Sequence, residues 1–212
     1  MIKEFCAENY SNLPHLTSHD IQRVELCDNL AVGGTTPSYG VIKKSVELLH
    51  QKGIQVSTMI RPRGGDYTYT SDEVEIMCQD IIYANQLNSD YLVVGALTNQ
   101  NTLDLAILNQ FIKTATSAKF VFHMAFDLIP LNQQKEALDD LINLGFKRIL
   151  LNGSIDRNNV LDNLNHLRDL NTYANNKIEL MVGGGVTLEN YQEIVKKTGV
   201  AAVHGTKLTK LP

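Results

Sequence analysis

A chain of 212 residues, 43% of them hydrophobic and 20% charged, can bury one sizeable core and has the composition of a globular protein. Its formal net charge is −4, and the lack of a basic block or basic-aromatic stripe argues against nucleic acid as a partner. No segment approaches the roughly 20 apolar residues of a membrane span, and residues 1–6 hold no apolar run of signal-peptide length. The irregularly spaced Cys6, Cys27 and Cys78 are typical of reduced thiols, so a cytoplasmic location away from membranes is expected.

Short β-rich runs alternate with helical runs through almost the whole chain. The strand candidates are residues 2–7, 23–27, 54–61, 91–95, 119–123, 146–150, 177–182 and 200–204. Apolar residues between them recur with a 3.6-residue period, most clearly over residues 72–87, where Thr70 and Glu73 predict a capping box. A second clear helix is predicted over 187–197, capped by Thr187.

Strict alternation of strands and helices predicts a parallel sheet, either open and doubly wound or closed. Eight units favour closure, so we expect an α/β fold, a compact (β/α)8 TIM-type barrel that forms a single domain over residues 1–212. The first helical segment is short and contains Pro14, and only residues 205–212 follow the last strand, so the eighth helix should be missing. Both gaps fall on one side of the closed barrel. That side is expected to expose Phe5, Val203 or nearby apolar residues and to form a homodimer interface.

Alternate residues of each barrel strand point inward, and the others face the helices. Placing the larger apolar residues outward leaves a set of polar and sulfur-containing side chains inside: Glu4, Cys6, Arg23, Glu25, Cys27, Ser57, Met59, Arg61 and His123. Burying unpaired charges is costly, so these groups should pair with one another or serve a site at the strand ends.

Each candidate also has a structural interpretation. Glu25 and Arg61 are catalytic candidates, but they could equally form an ion pair across neighbouring strands. His123 could be a core histidine, or a general acid/base oriented by Asp127 or Glu25. Cys6 and Cys27 could be small core residues or metal ligands, whereas Cys78 lies on the apolar face of a helix and is expected to be structural.

Three glycine-rich segments add candidate binding groups. Residues 29–37 form a long loop after the second strand and could act as a lid. In residues 61–66, Arg61 and Arg63 join two positive charges to a glycine-rich backbone. The glycines Gly183, Gly184 and Gly185 precede a predicted helix and, together with His204, predict a site for a phosphate or carboxylate.

Several motifs together resemble the CutC copper homeostasis proteins. They are Arg-Val-Glu-Leu-Cys-Asp at 23–28, Gly-Gly-Thr-Thr-Pro-Ser at 33–38, Met-Ile-Arg-Pro-Arg-Gly-Gly-Asp at 59–66, Phe-His-Met-Ala-Phe-Asp at 122–127 and Val-Gly-Gly-Gly-Val at 182–186. The resemblance spans essentially the whole chain and implies a (β/α)8 barrel, a cytoplasmic role in copper homeostasis and Cu(I) binding through cysteines. Cys6 and Cys27 match family cysteine positions. The chain departs from many members at Met124, where they carry arginine, and at 151–153, where they carry Thr-Ser-Gly.

Two functions are therefore expected. In the first, Cys6 and Cys27 bind a copper ion as Cu(I), with Met59 and His123 assisting. In the second, the chain is an enzyme acting on a small anionic metabolite, held by Arg61 and Arg63, with His123 as general acid/base. A non-catalytic oligomeric scaffold would leave the charges inside the barrel unexplained.

Overall fold

The computed structural model describes residues 1–155 and 159–211 and shows a closed barrel of eight parallel strands. The strands are β1 (Ile2–Glu8), β2 (Arg23–Cys27), β3 (Gln55–Met59), β4 (Tyr91–Val94), β5 (Phe120–Phe122), β6 (Arg148–Leu151), β7 (Glu179–Val182) and β8 (Ala202–Gly205). Six α-helices lie in the described ranges: α1 (Tyr39–Gln51), α2 (Ser71–Gln86), α3 (Leu105–Thr114), α4 (Gln134–Asn143), α5 (Leu164–Ala174) and α6 (Tyr191–Thr198). None of these helices has the length and hydropathy needed to cross a membrane. The predicted fold is confirmed.

Each strand pairs with its neighbours in chain order, and β1 closes the barrel by pairing with both β2 and β8. In this register Glu4 lies beside Arg23 of β2 and beside His204 of β8. Cys6 lies beside Glu25. Strand β1 therefore brings together polar residues that are almost the whole chain apart.

The alternation of strand residues separates two layers of core, as predicted. Val24, Val56 and Phe122 belong to the large apolar cluster between barrel and helices. A separate interior cluster contains Cys6, Cys27, Met59, Val93 and Val121. The inward positions expected for strands one, two, three and five are therefore confirmed.

The eighth helix is missing, as predicted, and the short first helix expected around Pro14 is reduced to a 3-10 turn. The β1–β2 connection holds only the 3-10 segment Leu13–His15, and no helix follows β8 up to residue 211. However, the expected exposure of Phe5 and Val203 is wrong, since they are 2% and 0% exposed. Leu13, Leu16 and Leu208 pack into the same apolar cluster and take the place of the missing helices. The homodimer therefore stays a prediction, but exposed Phe5 and Val203 side chains no longer support it.

Two predicted helix starts have different outcomes. Thr70 and Glu73 form the predicted capping box of α2. The predicted start at Thr187 is wrong, because α6 begins only at Tyr191. The backbone N–H of Leu188 instead donates to the carbonyl of Lys207, and this bond ties the segment ahead of α6 to the chain that follows β8. The Gly183–Gly185 run is consequently not at a helix N-terminus.

Candidate functional site

A cavity of about 410 Å³ opens at the carboxyl ends of the strands. It is lined by eight of the residues expected at the site, Cys6, Glu25, Met59, Arg61, His123, Gly184, Gly185 and His204. Its lining also includes residues that the sequence did not indicate, among them Tyr67 and Lys207. Cys27, Arg63, Asp127 and Gly183 are not part of the lining.

Beneath the cavity, Glu4 is the centre of a buried charge network. Its Oε2 accepts a hydrogen bond from Ser57 at 3.2 Å and forms ion pairs with Arg23 and Arg148, each at 3.4 Å. Burial alone would raise the pKa of Glu4, but a hydrogen bond with His204 and the two arginine charges lower it to about 2. Glu4 therefore stays ionised at any ordinary pH.

Two members of this network, Arg148 and Glu179, are not among the residues that the sequence pattern indicates. Arg148 and Glu179 face each other in the β6–β7 register, and both Arg148 and Arg23 form ion pairs with the Glu179 carboxylate. The available signal was an arginine in an otherwise apolar strand, at an inward position. Such a residue requires a partner inside the barrel.

His204 lies between two carboxylates. Its Nδ1 is 3.0 Å from Glu4 Oε1, and its Nε2 is 3.6 Å from Glu25 Oε2. Burial opposes the charged imidazolium, but the negative charge of Glu25 and the contacts with Cys6 and Glu4 outweigh it and raise the pKa of His204 well above its usual value. The cavity floor thus carries an imidazolium ion.

The two inward cysteines converge on a single oxygen. Glu25 Oε2 lies within hydrogen-bond distance of both sulfurs, 3.7 Å from that of Cys6 and 3.5 Å from that of Cys27. One ligand atom from each of the three residues lies within 4.8 Å of the others. The three side chains could therefore share one metal ion.

The two cysteines of this cluster differ in pKa. The neighbouring Cys27 thiol, helped by His204 and opposed by burial, lowers the pKa of Cys6 to about 5. The same thiol pair and burial raise the pKa of Cys27 well above its usual value. Burial raises the pKa of Glu25 to about 8, against the attraction of His204. Cys6 is thus the thiolate of the pair.

Arg61 stabilises the loops around the cavity through hydrogen bonds to their backbone. Its guanidinium donates to the carbonyl oxygens of Val32 at 2.9 Å, Gly34 at 3.1 Å and Gly65 at 2.8 Å, and it stacks on the Tyr67 ring. The interpretation of Arg61 and Glu25 as an ion pair is wrong, because no salt bridge joins them in the described ranges. The candidate lid at 29–37 is anchored by Arg61.

Arg63 lies away from the other site candidates. Its side chain is 37% exposed and forms ion pairs with Glu73 of α2 and with Asp66. It also donates to the carbonyl oxygen of Thr68 at 2.9 Å. These contacts fix the loop after β3 to the start of α2, so Arg63 is placed to support the loop from outside the cavity.

His123 lies in the cavity wall, and its Nδ1 accepts a hydrogen bond from the backbone N–H of Ala125 at 3.2 Å. In the neutral ring the proton is therefore on Nε2. Asp127 accepts hydrogen bonds from the backbone N–H groups of Asn152 at 2.9 Å and Gly153 at 2.8 Å. Through these bonds Asp127 positions the loop after β6.

The chain shows extensive similarity to known proteins. The model of the CutC family matches residues 1–209. A CutC family protein of Streptococcus pyogenes serotype M6 is 54% identical, covering 98% of this chain and 100% of its own. A mouse protein named copper homeostasis protein cutC homolog is 35% identical, covering 96% of this chain and 72% of its own.

Solved structures agree with this relationship. A Streptococcus agalactiae crystal structure described as a copper homeostasis protein CutC has a TM-score of 0.97 and 53% identity, covering 99% of this chain and 100% of its own. Deoxyribose phosphate aldolase from Aeropyrum pernix has a TM-score of 0.71 at 10% identity, covering 98% of this chain and 85% of its own, and shares the fold alone. The matches to the whole length of the chain show that it belongs to the CutC family.

Proposed function

We propose that this chain binds Cu(I) through Cys6 and Cys27 and takes part in copper homeostasis, the role stated in the names of its relatives. The observation that carries the proposal is the convergence of both thiols on Glu25 Oε2, at 3.7 and 3.5 Å. Two buried thiols on neighbouring strands that meet at one point resemble a ligand set more than separate core residues.

The donor chemistry suits the proposed ion. Thiolates are soft ligands, and soft ligands select Cu(I) over harder cations. With metal–sulfur bonds of about 2.3 Å, as thiolates form around zinc, a linear ion needs its two sulfurs roughly 4.6 Å apart. The Cys6 and Cys27 sulfurs lie within 4.8 Å of each other, which is compatible with one ion bound by both.

The protonation states of the two cysteines also support the proposal. Cys6, whose pKa is lowered to about 5, supplies one thiolate at neutral pH. Cys27 has to lose its proton when the ion binds, so binding should release a proton. That proton has to leave the cluster, because the adjacent Glu25 carboxyl group, whose pKa is raised to about 8, is itself largely protonated at neutral pH.

Access is from the cavity side. Cys6 lines the cavity, while Cys27 is fully buried under the loop after β2. A Cβ atom added at Gly34 would lie 3.1 Å from the Cys27 sulfur, so this glycine lets the loop close directly over the ligand. Met59 packs in the same interior cluster and could supply a thioether as a further soft ligand.

A Cu(I) titration against a chelator of known affinity, under anaerobic reducing conditions, tests the proposal. The variant C6S/C27S should lose high-affinity binding. The variant C78S is the matched control, because Cys78 is also buried but lies on α2, where it accepts a hydrogen bond from Thr114. Wild-type affinity in C6S/C27S would overturn the cysteine site.

The size of the cavity favours a second candidate function, catalysis on a small anionic metabolite. A volume of about 410 Å³ is in the range of small-molecule sites and far exceeds what an ion needs. In this function His123, in the cavity wall, serves as general acid/base.

A further inference from the structure

We propose that the cavity wall formed by residues 184–187 and 205–207, here the β7–β8 wall, binds the phosphate group of a small phosphate monoester. The wall lies on the opposite side of β1 from Cys27, and it shares no side chain with the cysteine site. The inference therefore goes beyond copper binding and does not depend on it.

Three consecutive carbonyl groups of the glycine run are held by asparagine side chains. Asn152 Nδ2 donates to the carbonyl oxygens of Gly183 at 3.1 Å and Gly184 at 2.8 Å. Asn190 Nδ2 donates to the carbonyl oxygen of Gly185 at 2.9 Å. The peptide planes after all three glycines are thus fixed before any ligand arrives.

The orientation of both asparagine side chains is determined by their other contacts. Asn152 Oδ1 accepts a hydrogen bond from Asn163 Nδ2 at 3.0 Å. Asn190 Oδ1 accepts one from the backbone N–H of Thr187 at 2.8 Å. Since the oxygens are engaged as acceptors, the nitrogens must face the glycine carbonyls.

The fixed carbonyls determine where the amides point. No peptide bond in the described chain is cis, and in a trans peptide the N–H points opposite to the C=O. The N–H groups of Gly184, Gly185 and Val186 therefore point away from the two asparagines. Within the described ranges the Gly184 and Gly185 amides donate to no protein acceptor, and both residues line the cavity.

Side chains on the β8 side of this wall complete an anion site. Lys207 and Thr206 line the cavity and are exposed. Lys207 forms no salt bridge within residues 1–155 and 159–211, although its charge helps to lower the pKa of Glu189. A phosphate offers several acceptor oxygens and up to two negative charges, which match backbone amides, a hydroxyl and an ammonium group. The loops after strands seven and eight are also a frequent phosphate site in barrels of this type.

The rest of the cavity indicates an organic phosphate. From the β7–β8 wall the cavity continues to His123, Met59 and Leu30, so the organic part of a monoester would occupy this partly apolar space. If an inorganic phosphate ion bound instead, water would fill this part of the cavity. We therefore expect a monoester to bind more tightly than phosphate alone.

Amide NMR with inorganic phosphate, glycerol 3-phosphate and glycerol as probes tests this site. The two phosphates should shift the amide signals of Gly184, Gly185 and Val186 in a saturable way, with glycerol 3-phosphate the tighter. Glycerol should leave them unchanged. The absence of saturable shifts at these amides at tens of millimolar phosphate would overturn the proposal.

Matched variants separate this site from general charge attraction and from the copper site. K207M should weaken glycerol 3-phosphate binding about tenfold, the usual size of a lost charged hydrogen bond. K196M, at an exposed lysine in α6 outside the cavity, should not change it. C6S/C27S should bind the phosphate normally even if it no longer binds copper. An equal loss in K196M and K207M would refute the site.

Discussion

Glu4 shows how a single residue can organise the barrel interior. Its carboxylate contacts the side chains of Ser57, Arg23, Arg148 and His204. Losing one member of a buried charge group usually costs more than the group contributes, because the partners remain buried without compensation. The charge network beneath the cavity therefore holds the Glu4 carboxylate in place, and Glu4 in turn positions the His204 ring.

The lowered pKa of Glu4 makes stability depend on pH in the acid range. The usual carboxyl pKa of 4.5 falls to about 2 in the folded chain, so the folded state binds this proton less readily than the unfolded one. The stabilisation is fully present above pH 4.5 and is lost as the pH falls toward 2. It amounts to about 3 kcal/mol of unfolding free energy.

In E4Q this pH-dependent stabilisation should be missing. Urea unfolding of wild type and E4Q, measured from neutral pH down to about pH 3, checks the expectation. The difference in unfolding free energy should shrink as the pH falls. A constant difference over this range would show that Glu4 is not held ionised.

At the residue level, side-chain partners were harder to predict than positions. Alternation placed Glu4, Cys6 and Glu25 inside the barrel, and they lie there. Alternation alone could not show that the His204 side chain of β8 reaches across β1 to within 3.6 Å of Glu25 on β2. The ion pair between Arg61 and Glu25, one of two interpretations of these residues, does not form, because Arg61 lies just beyond the end of β3 and turns to the loop carbonyls.

At the scale of elements, the ends of β4 and β5 determine the position of His123. The His123 backbone N–H donates to the carbonyl of Val94 at 3.0 Å, which places the ring against Gly95. A Cβ atom at Gly95 would lie 2.2 Å from the ring atom Cε1 of His123. Only glycine leaves room for this ring.

G95A should therefore lower the unfolding free energy by about 1–3 kcal/mol, the usual cost of overpacking, and displace the His123 ring. Denaturant unfolding and the His123 ring signals in NMR measure both effects. G40A is the matched control, because a Cβ atom there meets nothing within 4 Å. The cost of G95A should largely vanish in an H123A background, and an undiminished cost would point to a different cause.

Helix boundaries show a further limit of sequence patterns. The capping box at Thr70 is local, so its pattern was sufficient to predict it. The expected cap at Thr187 failed because the chain there is bound to Lys207 after β8, which the local pattern cannot reveal. As a result the glycine run does not lie at a helix N-terminus. The side chains of Asn152 and Asn190 hold its peptide groups in place instead.

At the scale of the whole molecule, counting eight strand–helix units was enough to predict closure. The gaps in the helical layer beside β1 and β8 were also predicted. The residues that shield these strands from solvent were not predicted. Leu13 and Leu208 fill them from connecting segments, because apolar residues need no regular helix to bury a strand. The barrel thereby places two chemically distinct walls around one cavity, with the Cys6 thiol at β1 and the glycine run at β7–β8.

X-ray absorption at the copper K edge of the Cu(I)-loaded protein tests the central claim most directly. The account predicts a first shell with two sulfur scatterers at about 2.3 Å, the length of a metal–thiolate bond. The sulfur shell should disappear in C6S/C27S and persist in C78S. A first shell of nitrogen and oxygen alone, or a sulfur shell unchanged in C6S/C27S, would contradict Cu(I) binding by Cys6 and Cys27.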